Sequence, residues 1–143
     1  MDVFGNDLIE EELDQALERA DILVCTAPAT PKTNNIMHER RLALLPKDAI
    51  FLNFGRSNIV NTPALIKMLE TEQLSGAVLD VTDDEPLSEE DPLWNTRNLI
   101  LTQHTSGGIP REIDGKLDFF DENLQRFRKD EEMANKIDLE KGY

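Results

Sequence analysis

The sequence predicts an α/β fold, a parallel sheet with helices on both faces. Two observations support this prediction: short apolar runs bounded by turn residues alternate with stretches of helical periodicity, and the connections between them are short. A short continuous apolar run is typical of a strand in a parallel sheet, which is buried on both faces. Because parallel strands are joined by right-handed crossovers, we expect three strands alternating with helices, followed by a fourth strand.

Four apolar runs are predicted to form the strands, at residues 22–26, 49–54, 76–81 and 99–102. Turn residues close these runs: Pro28 follows the first run and Gly55 follows the second. An acidic, proline-bearing loop from Thr82 to Asn98 separates the third run from the fourth. The four runs therefore fit one sheet.

Helical spacing predicts four helices, at residues 7–20, 38–45, 62–69 and 111–128. Pro46 is expected to end the second helix, since proline cannot continue the hydrogen-bond ladder. Thr62 is expected to cap the third, with Pro63 at its first helical position. The last helix carries one apolar stripe.

The composition limits the classes of partner. A chain of 143 residues is long enough for one domain with a sizeable core, and its formal net charge is −14. Nucleic acids and anionic membrane surfaces attract clustered Lys and Arg, so neither is expected as a partner. Two distant histidines and one cysteine give no metal-ligand spacing, so no metal site is expected.

The single cysteine, Cys25, lies within the first apolar run, where a buried thiol is expected. One cysteine excludes an internal disulfide framework and is typical of a reducing compartment. The sequence contains neither a leader-like apolar segment nor a run long enough to span a membrane. We therefore expect a cytoplasmic location.

Three chemically active side chains each follow a predicted strand: Arg56, Glu85 and His104. In parallel α/β sheets, ligands bind beyond the carboxyl ends of the strands, so these three ends can converge on one small molecule. A guanidinium, a carboxylate and an imidazole together can hold an anion and move a proton.

Each of these residues also has a simpler interpretation. A lone arginine after a strand is commonly a surface charge, and Glu85 fits a solvated acidic loop. Asp80, near the end of the third predicted run, fits a residue that turns the chain after its strand. Residue types and spacing alone leave both interpretations open.

A complete dinucleotide-binding fold opens with a strand, a glycine-rich turn and a helix that holds the pyrophosphate. The seven glycines of this chain are scattered and do not form the G-x-G-x-x-G pattern. Four strands alone leave a sheet edge unmatched, so we expect another chain or segment to cover it.

The sequence resembles the D-isomer-specific 2-hydroxyacid dehydrogenases in a series of blocks that follow the family's order: residues 20–24, 26–28, 53–56, 76–81, 84–87, 92–94 and 104–108. The resemblance runs from about Leu8 to Arg128. It implies that residues 1–128 form the second half of a Rossmann-type NAD-binding domain, lacking the glycine-rich first half. Residues 129–143 would be a C-terminal tail, for which the resemblance offers a remnant of the family's substrate domain as one interpretation.

The resemblance also implies roles for individual residues. Arg56 matches the arginine that grips the substrate carboxylate, and His104 matches the acid/base that exchanges a proton with the substrate oxygen. Glu85 matches the carboxylate that pairs with this histidine, and Asp80 matches a residue that contacts the nicotinamide carboxamide. Arg56 and His104 also border the cofactor, together with Ala27, Pro28, Thr33, Phe54, Gly55 and Gly107.

The implied function is an oxidoreductase that interconverts 2-hydroxy and 2-keto acids with NAD, NADP not being excluded. Without the glycine-rich half, this chain alone is expected to be weakly active or inactive. The implied partners are a small 2-hydroxy or 2-keto acid and either a homo-oligomer or a complementing N-terminal portion. The alternative is a non-catalytic remnant or interaction module that associates through its uncovered sheet edge.

Two positions depart from the family pattern. Ser57 follows the arginine where glycine is usual, and Asn61 stands where aspartate is common. A side chain at position 57 would alter how closely the backbone can approach the cofactor.

Overall fold

The computed structural model describes residues 10–139, which belong to two compact units that meet in sequence between His104 and Thr105. The predicted helical residues 7–9 lie outside the described residues. The two units are defined by how the chain packs. The predicted boundary at residue 128 instead separates the NAD-binding part from a remnant of the substrate domain, and it stays a prediction.

The first unit contains a four-stranded sheet with the order β1-β2-β3-β4, and every neighbouring pair is parallel. Its strands are β1 (Ile22–Cys25), β2 (Ala49–Asn53), β3 (Leu74–Leu79) and β4 (Leu99–Leu101). Its α-helices are α1 (Glu10–Leu17), α2 (Glu39–Leu42) and α3 (Thr62–Glu70), and 3-10 turns lie at Ser57–Ile59 and Pro92–Asn95. The predicted class, a parallel α/β sheet, is confirmed.

The residue that caps helix α3 lies one position earlier than the sequence predicts. The side chain of Asn61 accepts a hydrogen bond from the Ala64 backbone N–H at 2.9 Å, so Asn61 is the capping residue. The prediction of Thr62 as the cap is wrong, because Thr62 is already helical. An asparagine oxygen satisfies one of the open N–H groups of the first turn as well as a threonine hydroxyl does.

The hydrophobic core lies on one face of the sheet. Leu17 of α1, Leu42 of α2 and Leu65 of α3 are fully buried in the same apolar cluster as Phe51 and Leu79 of the sheet. Phe51 is central because its strand is hydrogen-bonded on both sides. The three helices therefore form a single layer on this face.

The opposite face of the sheet is apolar and exposed. Side chains alternate along each strand, so Ile22, Val24, Ile50 and Ile100 point away from the helix layer. Their exposed fractions are 63%, 51%, 38% and 60%. Residues 10–104 thus supply helices to one face of the sheet and not to the other, which differs from the predicted arrangement of helices on both faces. Within these residues, β1 and β4 are the edge strands.

A charged cluster joins α1 to α2. Asp14 accepts hydrogen bonds from Arg41 at 2.8 Å and from Arg40 at 2.7 Å. Arg41 is buried and also donates to the Ile36 carbonyl at 3.2 Å. Because a buried guanidinium needs a partner, this cluster fixes the position of α1 over the sheet.

The second unit contains α4 (Glu112–Arg128), which is amphipathic but has no buried residue. The predicted apolar stripe is present and exposed at Ile113, Leu117, Phe120 and Phe127. The side chain of Asn123 accepts a hydrogen bond from the Ala134 N–H at 2.8 Å, which ties the following tail back to the helix. Across residues 10–139, no helix has the length and apolar character needed to cross a bilayer.

Candidate active site

The carboxyl ends of β2, β3 and β4 lie side by side at one edge of the sheet. Arg56 follows β2, Glu85 follows β3 and His104 follows β4. Parallel neighbouring strands bring the residues that follow them to a common edge. The topology therefore places all three predicted residues at the edge where α/β proteins bind ligands.

Glu85 and His104 form a direct pair. The Nδ1 atom of His104 lies 2.8 Å from the Oε2 atom of Glu85, and both side chains are partly exposed. The other carboxylate oxygen of Glu85 accepts a hydrogen bond from the Thr82 backbone N–H at 3.1 Å. Both oxygens of the Glu85 carboxylate are thus hydrogen-bonded, and the carboxylate fixes the position of Nδ1 in the imidazole of His104.

These contacts change the acidity of Glu85. The hydrogen bond from His104 holds the pKa of the Glu85 carboxyl below its ordinary value, and the Thr82 N–H adds to this effect. Hydrogen bonds to the charged form favour it. Glu85 is therefore a carboxylate at neutral pH, as an acceptor for the histidine must be.

The backbone of His104 is in the left-handed region, with φ of 55°. This conformation is uncommon for residues other than glycine, although histidine adopts it more readily than most. The imidazole contacts Glu85 in the loop that follows β3. Strained backbone of this kind clusters at functional sites.

Arg56 lies at the same edge and, among the described residues, forms no hydrogen bond or ion pair with either member of the pair. Its guanidinium donates a hydrogen bond from Nη1 to the Gly55 carbonyl at 2.7 Å, and its side chain is exposed. Gly55 itself approaches β1 closely: a Cβ atom there would lie 2.6 Å from the Ala27 carbonyl oxygen. Glycine is required at this position by the closeness of the two strand ends.

Asp80 is almost fully buried directly after β3. Its carboxylate accepts a hydrogen bond from the Thr102 hydroxyl, and its backbone N–H donates to the Asn53 carbonyl at 3.1 Å. Asp80 therefore links the ends of β2, β3 and β4.

The remaining predicted cofactor-lining residues lie in three places. Ala27, Pro28 and Thr33 belong to the loop that follows β1, where the Thr33 hydroxyl donates to the Pro28 carbonyl at 2.6 Å and accepts from the Thr30 N–H at 2.8 Å. Phe54 follows β2, and its N–H donates to the Cys25 carbonyl at 2.8 Å. Gly107 lies in the second unit. Their role toward a cofactor stays a prediction.

Three supporting residues were not singled out as site residues from the sequence. Asn53 holds the turn that carries Arg56, Thr82 holds Glu85, and Thr102 holds Asp80. A polar residue at the end of an apolar run is a weak signal for Asn53 and Thr102. The contact of Thr82 uses its backbone, so no side-chain pattern points to it.

The described residues contain no group of three or more His, Cys, Asp or Glu side chains able to hold a metal ion. The groups that meet at the edge are instead an imidazole, carboxylates, a guanidinium and backbone amides. These suit hydrogen bonding to a carboxamide, a carboxylate or a carbonyl oxygen.

The sequence profile described as "D-isomer specific 2-hydroxyacid dehydrogenase, NAD binding domain" matches residues 5–106. The chain belongs to this family. The predicted resemblance, the Rossmann-type fold and the cofactor class, NAD with NADP not excluded, agree with this match.

Individual members of the family are similar over most of this chain. A glyoxylate reductase of Pyrococcus horikoshii is 34% identical over 119 residues, which are 83% of this chain and 35% of that protein. A crystal structure of a D-isomer specific 2-hydroxyacid dehydrogenase from Xanthobacter autotrophicus Py2, in complex with NADPH and MES, superposes with a TM-score of 0.84 at 36% identity. That superposition covers 93% of this chain and 54% of the other.

A second solved structure is the NADPH-dependent glyoxylate/hydroxypyruvate reductase from Sinorhizobium meliloti, in complex with NADP and sulfate, with a TM-score of 0.85 and 28% identity. This match covers 93% of this chain and 43% of that protein. The chain therefore spans about half, or less, of the length of the relatives that it matches.

Proposed function

We propose that the protein takes part in the NAD(P)-linked interconversion of 2-hydroxy acids and 2-keto acids. The observation that carries the proposal is the pair of His104 and Glu85, 2.8 Å apart, at the carboxyl edge of the sheet where Arg56 also lies. Proton exchange with a carbonyl oxygen needs an acid/base, and a carboxylate substrate needs a cationic clamp. Glyoxylate and hydroxypyruvate, named for two relatives, are the substrates to try first.

Each residue has a defined task in this proposal. Glu85 holds Nδ1 of His104, so Nε2 is the nitrogen that gives a proton to the carbonyl oxygen of a 2-keto acid and takes it back in the oxidation direction. Arg56 binds the substrate carboxylate, and its planar fork allows two parallel hydrogen bonds. When bound, the nicotinamide cofactor supplies or accepts the hydride at the carbon that carries this oxygen.

The residues at this edge suit the nicotinamide end of the cofactor. Asp80 supplies a buried carboxylate. Gly55 packs closely on Ala27, so the surface between the ends of β1 and β2 is formed by backbone atoms and not by a side chain of residue 55. The G-x-G-x-x-G pattern that would hold the pyrophosphate does not occur in the 143 residues. We therefore propose that this chain needs a complementing N-terminal portion and is weakly active or inactive without it.

An assay with a complementing partner tests the proposal. The chain is mixed with the N-terminal portion of the Pyrococcus horikoshii glyoxylate reductase, and NADH oxidation is followed with glyoxylate, hydroxypyruvate and pyruvate. We expect turnover in the mixture and little or none from either part alone. We expect His104→Gln and Arg56→Lys to lose this turnover, while the control substitutions His38→Gln and Arg97→Lys keep it. Turnover that survives His104→Gln contradicts the proposed chemistry.

A second candidate function is a non-catalytic interaction module, and the exposed apolar face of the sheet favours it. Ile22, Val24 and Ile100 are more than half exposed, and β1 and β4 present open edges. Exposed apolar patches and open edges mark sites of association. On this view the partner is a second copy of the chain or a longer chain, in the cytoplasm.

The two candidates predict different responses. Association of an interaction module is indifferent to His104→Gln and to added NADH. If complementation restores turnover, and if this turnover depends on His104, the catalytic proposal stands and the interaction module alone does not explain the pair of Glu85 and His104.

A further inference from the structure

Asn53 is fully buried at the end of β2. Both the oxygen and the nitrogen of its side-chain amide form hydrogen bonds with the backbone of the next three residues. Its Oδ1 atom accepts a hydrogen bond from the Gly55 backbone N–H at 3.1 Å, and its Nδ2 atom donates to the Arg56 carbonyl at 2.9 Å. Its own carbonyl accepts from the Asp80 N–H at 3.1 Å. One side chain thus ties the strand end to the turn that carries the arginine.

We propose that Asn53 is a positioning residue for Arg56, which it holds at the sheet edge in the orientation that receives a substrate carboxylate. The inference rests on the proposed function, because it assigns that task to Arg56. Asn53 has no exposed surface and so acts through the turn rather than by touching a ligand.

The Gly55 peptide shows how the effect is transmitted. Asn53 holds the N–H of Gly55, and the guanidinium of Arg56 donates to the carbonyl of the same residue. Arg56 has an extended backbone, with φ of −139° and ψ of 152°, and its carbonyl is held by Nδ2 of Asn53. Fixing the backbone on both sides fixes the direction in which this long, exposed side chain leaves the chain.

The two bonds require a residue that donates and accepts. Aspartate has the same shape and keeps the acceptor but loses the N–H donor, so Asn53→Asp removes the bond to Arg56 and keeps the bond to Gly55. Because Asn53→Asp also adds a buried charge, Asn53→Ser serves as a second variant that is neutral and too short to make both bonds. Fluorescence of the single tryptophan, Trp94, establishes that each variant is folded.

Asn58 offers a matched control. It lies in the same segment, and its Nδ2 atom donates to the Asn34 side chain at 3.0 Å rather than to the turn of Arg56. Asn58→Asp and Asn58→Ser therefore make the same chemical changes without altering the turn.

The test uses two measurements. The first is titration with oxamate, a carboxylate isosteric with pyruvate, in the presence of NADH, of the chain mixed with the N-terminal portion of the Pyrococcus horikoshii glyoxylate reductase that the proposed function requires. The second is the NMR signal of the Arg56 Nε–H in the ligand-free protein, which a merely structural loss elsewhere would not move. We expect both Asn53 variants to shift this signal and to weaken oxamate binding about tenfold or more, as expected when a charge-assisted hydrogen bond is misplaced. The Asn58 variants are expected to behave like the parent chain.

The outcomes separate this inference from the proposed function. If Arg56→Lys abolishes oxamate binding while folded Asn53 variants bind it as the parent does, the positioning role is overturned and the task of Arg56 stands. If the mixture that contains the parent chain does not bind oxamate, the proposed function of Arg56 loses its support. In that case an Nε–H signal of Arg56 that is unchanged in the Asn53 variants overturns the positioning role as well.

Discussion

Gly55 illustrates how tightly the ends of β1 and β2 meet. A Cβ atom at this residue would lie 2.6 Å from the Ala27 carbonyl oxygen and 2.9 Å from a methyl carbon of Ile59. A backbone oxygen cannot yield as a flexible side chain can. The close approach therefore makes position 55 intolerant of any side chain.

We expect Gly55→Ala to destabilise the first unit by about 1–3 kcal/mol, the usual cost of overpacking. The measurement is urea unfolding followed by the fluorescence of Trp94, which belongs to this unit. Gly115→Ala is the control, because a Cβ atom there meets nothing within 4 Å. Equal midpoints for Gly55→Ala and the parent chain would contradict the assigned contact.

Glu85 owes its lowered pKa chiefly to His104, so removal of the imidazole should raise that pKa toward the ordinary glutamate value. His104→Asn is the variant of choice, since asparagine tolerates a positive φ and its side chain is shorter. Part of the lowering should persist, because the Thr82 N–H still donates to the carboxylate. An NMR titration of the Glu85 side-chain carbon measures the change.

The sign of the pH effect follows from this shift. A carboxyl whose pKa is lowered by folding adds stability above its unfolded pKa, and this contribution is lost as the pH falls through the folded value. The pair of Glu85 and His104 is therefore maintained at neutral pH and released in acid. His38→Asn is the control, and a Glu85 titration that is unchanged in His104→Asn argues against the pairing.

At the scale of elements, the attachment of α1 depends on one carboxylate. Hydrogen bonds from Arg41 and, to a lesser extent, from Arg40 lower the pKa of Asp14. Asp14→Asn should destabilise the first unit at neutral pH, because buried Arg41 then lacks its charged partner. The difference from the parent chain should shrink as the pH falls through the folded pKa of Asp14.

Urea midpoints measured at neutral pH and in acid test this expectation. Glu39→Gln is the matched control, since the pair of Glu39 and Lys67 joins α2 to α3 at 2.8 Å with both side chains exposed. Exposed ion pairs contribute little, so this variant should resemble the parent chain. A deficit of Asp14→Asn that stays constant with pH would show that lost charge pairing is not its cause.

The strands were the most predictable elements, because a buried strand is encoded locally by its apolar residues. All four predicted runs contain the observed strands in whole or in part. β3 begins two residues before the predicted run, at Leu74, because Ser75 interrupts the apolar pattern. The register with β2 shifts at this residue, since Leu74 pairs with Ala49 and Gly76 pairs with Ile50. Helix ends were less predictable, since Asn61 and Thr62 both suit a cap and only the backbone geometry decides between them.

The candidate site was predictable to a different degree for each residue. Arg56, Glu85 and His104 were found because they follow apolar runs, and the contact of Glu85 with His104 needed the family resemblance as well. The role of Asn53 has only the weak signal of a polar residue at the end of an apolar run, and the backbone contact of Thr82 has no sequence signal. Patterns of residue type therefore predicted which residues lie at the carboxyl edge of the sheet, but not which residues hold them in place.

At the scale of the whole molecule, the exposed apolar face of the sheet should drive association. Ile100 is 60% exposed in edge strand β4, and Ile100→Lys places a charge on that face. We expect this variant to associate less than the parent chain, because burial of apolar surface favours contact and burial of a lone charge opposes it. Sedimentation velocity at several concentrations measures the change.

Gln15→Lys is the matched control, with the same change in charge at an exposed position of α1 on the helix layer. It should associate as the parent chain does. A parent chain that stays monomeric at high concentration, or two variants that associate alike, would argue against this face as the contact surface.

Cys25 is the last residue of β1 and the only thiol in the chain. Burial raises its pKa to about 11, so the sulfur stays protonated at neutral pH and is a poor nucleophile toward alkylating reagents. Because Cys25 is only partly buried, labelling should be slow in the folded protein and faster where β1 separates from β2. The rate at which Cys25 is alkylated, followed by mass spectrometry, should therefore report on the opening of edge strand β1, and no additional cysteine has to be introduced.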